Sequence, residues 1–363
     1  MYRINIIKTL SLLFLVMTIS VNAQHETTQK VHEENSDSTV DLRAEIKADI
    51  KHHLLDSHEF TLFHSKETGA GFTIPLPIIL WDGGLQVFSS SKFHHGEEIA
   101  ENNGNYYKLH HSKIYKTNAD GALNLDEHHH PTNAKPFDLS ITKSVVGILI
   151  IAIFMLWLFS SLAKSYAKNN GIATGMGRFF EPLVLFIRDE IAIPNIGEKH
   201  YKRYMNYLLT IFFFIWFINL LGLTPLGVNV TGNIAVTFAL AILTYLITTF
   251  TAKKTYWKHI FWMPGIPWPM KIILAPIELF GTFIKPFSLM IRLYANMLAG
   301  HTVLMSILAL IFIFKSWIGG PLSFGLAFVL SILELLVAVL QAYIFTMLSA
   351  LYFGSAAEEH EDH

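Results

Sequence analysis

The sequence predicts an all-α polytopic membrane protein with vertical spans, a strongly tilted pair of long helices and a small exported β-rich N-terminal region. Three observations lead there. Of 363 residues, 52 % are hydrophobic and 15 % charged, against about 25 % charged in an ordinary soluble domain. Several apolar runs approach or exceed the roughly 20 residues that cross a hydrocarbon core as a helix. Lys and Arg alternate between loops in the way that orients spanning chains.

Charge also divides the chain. Residues 24–140 hold 18 Asp and Glu against 10 Lys and Arg, whereas residues 141–363 hold 10 against 15. An acidic, polar front half is therefore joined to a basic, apolar back half. With no cysteine in the chain, disulfides, thiolate metal sites and a Cys nucleophile are excluded.

Residues 1–23 read as a secretory signal peptide: Arg3 and Lys8 precede an apolar run from Leu10 to Val21, and "VNA" offers a small-residue cleavage site after Ala23. Residues 24–140 follow as an exported, His-rich and partly β region. Its opening is too polar to bury a core, although "TVDLRAEIKADIKHHLL" is compatible with one amphipathic helix. "EFTLFH", "GFTIPLPIILW", "LQVFSS" and "YYKLHHSKIYKT" then give a small sheet of about four strands, separated by "KETGAG", "DGG" and "ENNGN". Thirteen of the 18 histidines precede residue 131, His128, His129 and His130 among them. None has the fixed partner spacing of a metal site, so a solvated polar segment is the expected reading and no metal is assigned.

From residue 141 the chain is a membrane region. "SVVGILIIAIFMLWLFSSL" (144–162), "YMNYLLTIFFFIWFINLLGL" (204–223) and "GNIAVTFALAILTYLITTF" (232–250) are each predicted to span. Lys164, Lys168, Arg178, Arg188, Lys199, Lys202 and Arg203 fill the first loop, Lys253, Lys254 and Lys258 follow the third span, and "LGLTPLGVNVTG" between has no Lys or Arg. The first and third spans therefore end in the cytoplasm. Between them "GRFFEPLVLFIRDEIAIPNIG" reads as one amphipathic helix on the membrane surface.

Residues 287–315 and 321–353 are too long for vertical spans, at about 43 Å and about 50 Å as helices. Against about 30 Å of hydrocarbon the second needs a tilt near 50°, so the pair is predicted to lie strongly inclined, turning at "WIGGP". Pro276, Gly281 and Pro286 interrupt the stretch ahead of them, which allows an earlier, kinked start.

The ionisable groups deep in this pair are Arg292, His301 and Glu334, with Glu278 nearer the cytoplasmic end and Asn296 and Gln341 as polar companions. A charge at mid-membrane costs from about 2.5 kcal/mol upward and needs a partner, a wet cavity or a task. Asn296 shares the helix face of Arg292; His301, nine residues on, faces about 180° away; Glu334 and Gln341, seven apart, share a face. The charge pattern alone also admits a buried Arg292–Glu334 ion pair that fixes packing.

"IKPFSLMIRLYANMLAGH", followed about 30 residues later by "LELLVAVLQAYIFTMLSALYFGSAAEEH", resembles subunit a of the F-type ATP synthase membrane sector. "FIRDEIAIPNIG" and "FINLLGLTP" are similar to further segments of that family, and the likeness covers about residues 140–360. It implies a bacterial, multi-pass inner-membrane stator subunit with a periplasmic N-terminal region and a cytoplasmic C-terminus. Two half-channels would pass protons to and from carboxylates of the rotating c-ring, beside b-type peripheral stalk subunits and membrane lipid. By the resemblance Arg292 is the stator charge facing the ring. His301 and Glu334 stand where other members carry an acid and a histidine, an apparent exchange, and serve the half-channel open to the exported side with Asn296 and Gln341. Glu278 matches an acid of the cytoplasmic half-channel.

Two departures stand out: Gly222 lies where many members have an acid, and the exported region is unusually long. No Gly-rich phosphate loop occurs, so the chain is expected to hold no nucleotide and no cofactor, to be no enzyme by itself, and to bind no nucleic acid. A secondary transporter using Arg292 for an anionic substrate would show two repeated halves, and none is seen. A membrane-tethered metal-binding protein would depend on the His-rich half and not on Arg292.

Overall fold

The computed structural model describes residues 56–64, 71–96, 98–126, 131–169, 175–224, 228–263, 265–314 and 319–358. The predicted signal peptide, the amphipathic segment at 39–55, His128–His130 and part of the turn at 317–321 lie outside the described residues.

The strand-rich part contains more strands than the sequence signals. Eight are found among the described residues: β1 Glu59–His64, β2 Gly71–Pro75, β3 Pro77–Trp81, β4 Leu85–Ser89, β5 Ile99–Asn102, β6 Asn105–His110, β7 Lys113–Thr117 and β8 Phe137–Asp138. They form the sheets β1-β2, β4-β3-β8 and β5-β6-β7, in place of one sheet of about four. Proline explains the first division. Pro75 and Pro77 have no N–H to donate, and the Leu76 amide between them donates to Ser90 Oγ at 3.0 Å. The run "YYKLHHSKIYKT" folds back on itself at His111 and Ser112, both left-handed at φ 47° and 59°. Asn103 and Gly104, at φ 50° and 76°, make the same two-residue hairpin turn between β5 and β6. Alternation then buries Ile78, Leu80, Phe88, Ala100, Tyr107 and Ile114 in one small core with Phe93.

Two carboxylates tie this part together. Asp82 accepts from Lys116 Nζ at 2.7 Å and from the Tyr107 hydroxyl at 3.1 Å. The Lys116 hydrogen bond, opposed by some burial and helped by Tyr107, holds the Asp82 carboxyl below the usual range. Burial pushes the Tyr107 phenol up to about 12, and Asp82 adds to the shift. Asp138 is pushed up by burial, but its bonds from His58 (3.2 Å) and Ser140 outweigh that and leave it lowered. A depressed carboxyl stabilises above its unfolded pKa near 3.9 and loses that contribution as pH falls through the folded value. Protection of the β3–β7 amides against hydrogen exchange, corrected for intrinsic rate, is therefore expected to hold near neutrality and fall below about pH 4. Asp82→Asn should shrink that acid limb; an unchanged limb counts against the role given to Lys116.

Five helices among the described residues are long and apolar enough to cross a membrane. α1 Lys143–Lys168 is followed by α2 Met176–Phe186, a π-helical turn Ile187–Ala192 and α3 Ile193–Ile196; then come α4 Tyr201–Leu223, α5 Ile234–Thr251, α6 Lys254–Phe261, α7 Trp268–Phe314 and α8 Gly319–Ala357. The single surface helix expected at 177–197 is thus three joined pieces, with Pro182 inside α2 and Pro194 in the first turn of α3. Its Ile187 and Ile191 are fully buried, whereas Phe179 and Phe186 are exposed. The long pair is longer than expected, at 47 and 39 residues, or about 70 Å and about 58 Å. α7 starts at Trp268 and persists through Pro276 and Pro286, because in lipid a helix is the cheapest way to keep the remaining backbone groups satisfied.

α4 is the central post. Half of its most apolar stretch is buried in the protein, against 11 % for α7 and 17 % for α8, so the long pair turns most of its surface outward. α8 packs on α4 and α7, α7 on α5, and α1 on α4. Hydrogen bonds sort the helix ends. At one end the Lys143 amide donates to Ser57 O at 2.9 Å, which puts the strand-rich part at the start of α1. At the other, the Lys253 amide donates to Ala356 O at 3.0 Å and Lys253 Nζ lies 3.0 Å from His200 Nε2.

Candidate functional site

Arg292 sits on α7 between residues that face inward, since Leu289 and Leu293 are 2 % and 1 % exposed. Its own side chain, about 80° around the helix from those two leucines, is exposed, as is that of Asn296 one turn on. Around it the outward surface is apolar: Phe287, Ile291, Leu336 and Leu340 are each at least half exposed. Among the described residues Arg292 forms no ion pair, and so none with Glu334. The packing alternative that the charge pattern admitted is absent.

Two contacts fix the register of the antiparallel pair. A Cβ placed on Gly300 would lie 2.8 Å from Glu334 Oε1, so Glu334 packs on the bare backbone beside His301. Fifteen residues earlier on α7, Lys285 Nζ stands 5.3 Å from the centre of the Tyr352 ring of α8. Interpolated between these contacts, the Arg292–Asn296 turn is level with the stretch of α8 that contains Gln341. His301 and Gln341 are buried, each 6 % exposed. The Glu334 side chain is half-buried, with Oε2 shielded and without a hydrogen-bond partner among the described residues. Glu334 lies against Gly300, the chain neighbour of His301, and Arg292 is about 13 Å from His301 along the helix axis.

Glu278 belongs to a third place. It lines a cavity of about 310 Å³ with Tyr256, Lys258, Lys285, Ser355 and Glu358, at the end where α8 finishes. A small recess that shares Tyr256, Thr282 and Lys285 adjoins it and reaches Thr244, Thr248 and Tyr352. The Arg292 charge is within electrostatic reach of that Tyr352 hydroxyl. Tyr352 and the α5 threonines escaped the sequence reading, since single hydroxyls in apolar runs give no signal until helices are paired. In the structure Thr237, Ala241, Thr244 and Thr248 form one buried stripe of α5, and Tyr207 OH meets Thr244 Oγ1 at 2.7 Å.

Asn219 was missed for the same reason. It is 2 % exposed and accepts from Thr231 Oγ1 at 2.7 Å. Gly222, nearly a turn later, lets α4 come against Met297 of α7, whose Cε stands where a Cβ would go. An acid at this position would have to displace that methyl, which gives the departure noted at Gly222 a steric counterpart.

A family model described as ATP synthase A chain matches residues 145–354, a stretch that holds every candidate residue. The chain belongs to the ATP synthase A chain family. A second model, described as a domain of unknown function, matches residues 49–139. Among relatives of the A chain family, ATP synthase subunit a 2 of Chlorobaculum tepidum is 46 % identical over 235 residues, which are 62 % of this chain and 66 % of the relative. ATP synthase subunit a of Chloroherpeton thalassium is 47 % identical over 232 residues, 62 % of this chain and 69 % of the relative. That of Myxococcus xanthus is 42 % identical over 240 residues, 62 % of this chain and 77 % of the relative. The chain thus spans about two thirds of the length of the first of these, and with its five long apolar helices it is a multi-pass membrane member of the A chain family.

Proposed function

We propose that the chain is the proton-translocating stator subunit of the membrane sector of a rotary ATP synthase. It catalyses no bond-making itself; it couples ion flow to rotation of a ring of c-type subunits, while b-type stalk subunits hold it still. The observation that supports this best is an exposed Arg292 without an ion pair among the described residues, set in an apolar outward face of two long helices. Guanidinium keeps its proton at any relevant pH. It therefore attracts a passing ring carboxylate only in ionised form, and a protonated site must turn away through lipid. Each proton falling through about 100 mV yields about 2.3 kcal/mol.

In this reading residues 24–140 are exported to the periplasm behind a signal peptide at 1–23, and residues 141–363 lie in the inner membrane with a cytoplasmic C-terminus. His301 and Glu334, with Asn296 and Gln341, serve the outer half-channel. Glu278 serves the cytoplasmic one, and its cavity near Lys285 supports that role. An imidazole can pass on a proton but is a poor sodium ligand, so His301 favours protons as the ion carried.

The reading is tested by Arg292→Ala in the assembled complex. ATP-driven acidification is expected to be lost, and near-normal pumping overturns the proposal. A milder expectation concerns Gly300→Ala, whose methyl meets Glu334 Oε1 at 2.8 Å. The carboxylate must leave its rotamer, at about 0.5–1.5 kcal/mol, so pumping should fall about two- to tenfold, and unchanged pumping would show that Glu334 needs no fixed seat.

A further inference from the structure

We infer that the strand-rich region is a clamp on the outer loop of the membrane region, with Asp56 as its positioning residue; this rests on the function proposed above. The Asp56 carboxylate belongs to the segment leading into β1, yet its hydrogen bonds go to the starts of two membrane helices. Oδ1 accepts from the Ser144 amide at 3.0 Å and Oδ2 from Thr142 Oγ1 at 2.9 Å. Thr142, at the N-cap of α1, makes no capping bond with its own side chain. Asp56 thus caps α1 from 88 residues away, where a negative charge suits the positive end of the helix. The same Oδ2 accepts from Asn233 Nδ2 at 3.3 Å, and Asn233 Oδ1 in turn caps α5 through the Ala235 amide at 3.0 Å.

Asn233 closes the loop that carries Thr231, the residue hydrogen-bonded to buried Asn219 of α4. Apolar packing reinforces the connection. Phe60 and Leu76 of the strand-rich region belong to one continuous buried cluster with Val228 and Val230 of that loop. On the far side the loop nests against Gly147 of α1, where an added Cβ would come within 2.6 Å of Val228 and 3.2 Å of Val230. Residues 228–233 of the loop are held between the strand-rich region and α1, and Asp56 joins all three. By this route the strand-rich region keeps the Thr231 hydroxyl on buried Asn219, and so holds α4 at the level where Gly222 meets Met297 of the Arg292 helix.

The chain contains no cysteine, so labels can be placed at will. In the assembled complex, spin labels on Ser91→Cys and Ile234→Cys, both exposed positions, are expected to give one narrow distance that broadens with Asp56→Ala. An unchanged distribution overturns the clamp whatever the function. Asp56→Ala and Thr231→Val should each slow ATP-driven pumping about threefold or more with subunit content retained, and the double variant should be no slower than the worse single one. Multiplying losses, or normal pumping by Asp56→Ala while Arg292→Ala is dead, sink the clamp and leave the stator reading intact. Normal pumping by Arg292→Ala removes that reading and leaves the clamp to the distance measurement. Should Asp56→Ala fail to accumulate, Asp56→Asn, which keeps one acceptor oxygen, carries the same comparison.

Discussion

Arg292→Ala in the assembled complex is expected to abolish ATP-driven acidification and to open a passive proton leak. The magnitude follows from electrostatics. A guanidinium and a carboxylate about 4 Å apart attract by about 4 kcal/mol at an effective dielectric near 20, which corresponds to about a thousandfold in population. Without the charge, a protonated ring site crosses as easily as an ionised one, and the separation between half-channels disappears. Rotation then ceases to depend on proton transfer. Arg292→Lys should recover little of the lost pumping, because an ammonium in a desolvated site can give up its proton and lacks the planar fork. The measurements are acidification of inverted vesicles on ATP addition and proton permeability without ATP. The exposed position, with no ion pair to Glu334, matters here: a guanidinium spent on Glu334 would predict unfolding, whereas the exposed one predicts an assembled but uncoupled complex.

Gly354→Val is expected to do the opposite and remove the subunit from the membrane altogether. Gly354 lies in the last turns of α8, where its bare Cα is pressed against the chain of α3. A Cβ there would collide with the Asn195 carbonyl oxygen, stand 3.0 Å from the carbonyl carbon and 3.6 Å from Ile196 Cα. These are backbone atoms and cannot swing aside as a side chain would. Asn195 is also tied in place, with Nδ2 donating to Ile191 O at 2.7 Å. Next to the glycine, Phe353 stacks on Tyr204 of α4 with ring centres 4.6 Å apart, so a displaced α8 also loses its hold on the central post. Overpacking typically costs about 1–3 kcal/mol, and a backbone collision exceeds that, against a net stability of about 5–15 kcal/mol. Immunodetection in membranes should show little Gly354→Val subunit. Gly281→Ala in α7, where among the described residues nothing beyond the helix's own adjoining backbone lies within 4 Å of the added Cβ, should accumulate normally.

Much of this architecture is readable from composition because lipid leaves the backbone so few choices. The spans expected at 144–162, 204–223 and 232–250 occur as α1, α4 and α5 with ends shifted by a few residues. The long pair was legible from length, but its true start at Trp268 was hidden by two prolines that the apolar setting tolerates. The strand-rich part was less legible. Its aromatic and β-branched runs marked strands correctly, yet where they split depended on Pro75 and Pro77, and on left-handed turns at His111 and Ser112 that no glycine announces. Among the candidate residues Arg292, Glu334 and Glu278 stand out, since charge in an apolar run is costly. Tyr352, Asn219 and Thr231 do not, since an uncharged hydroxyl or amide in such a run is unremarkable until a partner helix meets it.

What the sequence by itself determined is which segments are helical and apolar, that a polar strand-rich part precedes them, and which few ionisable groups lie deep among them. Only the tertiary structure decided that Arg292 is exposed and not paired with Glu334, that Glu334 rests on Gly300, and that Asp56 caps a helix 88 residues away. The reason is one of range. A helix in lipid is settled by its own backbone bonds and composition, within a few turns, whereas the direction of a face and the register of a pair depend on side chains far apart in the chain filling one another's space.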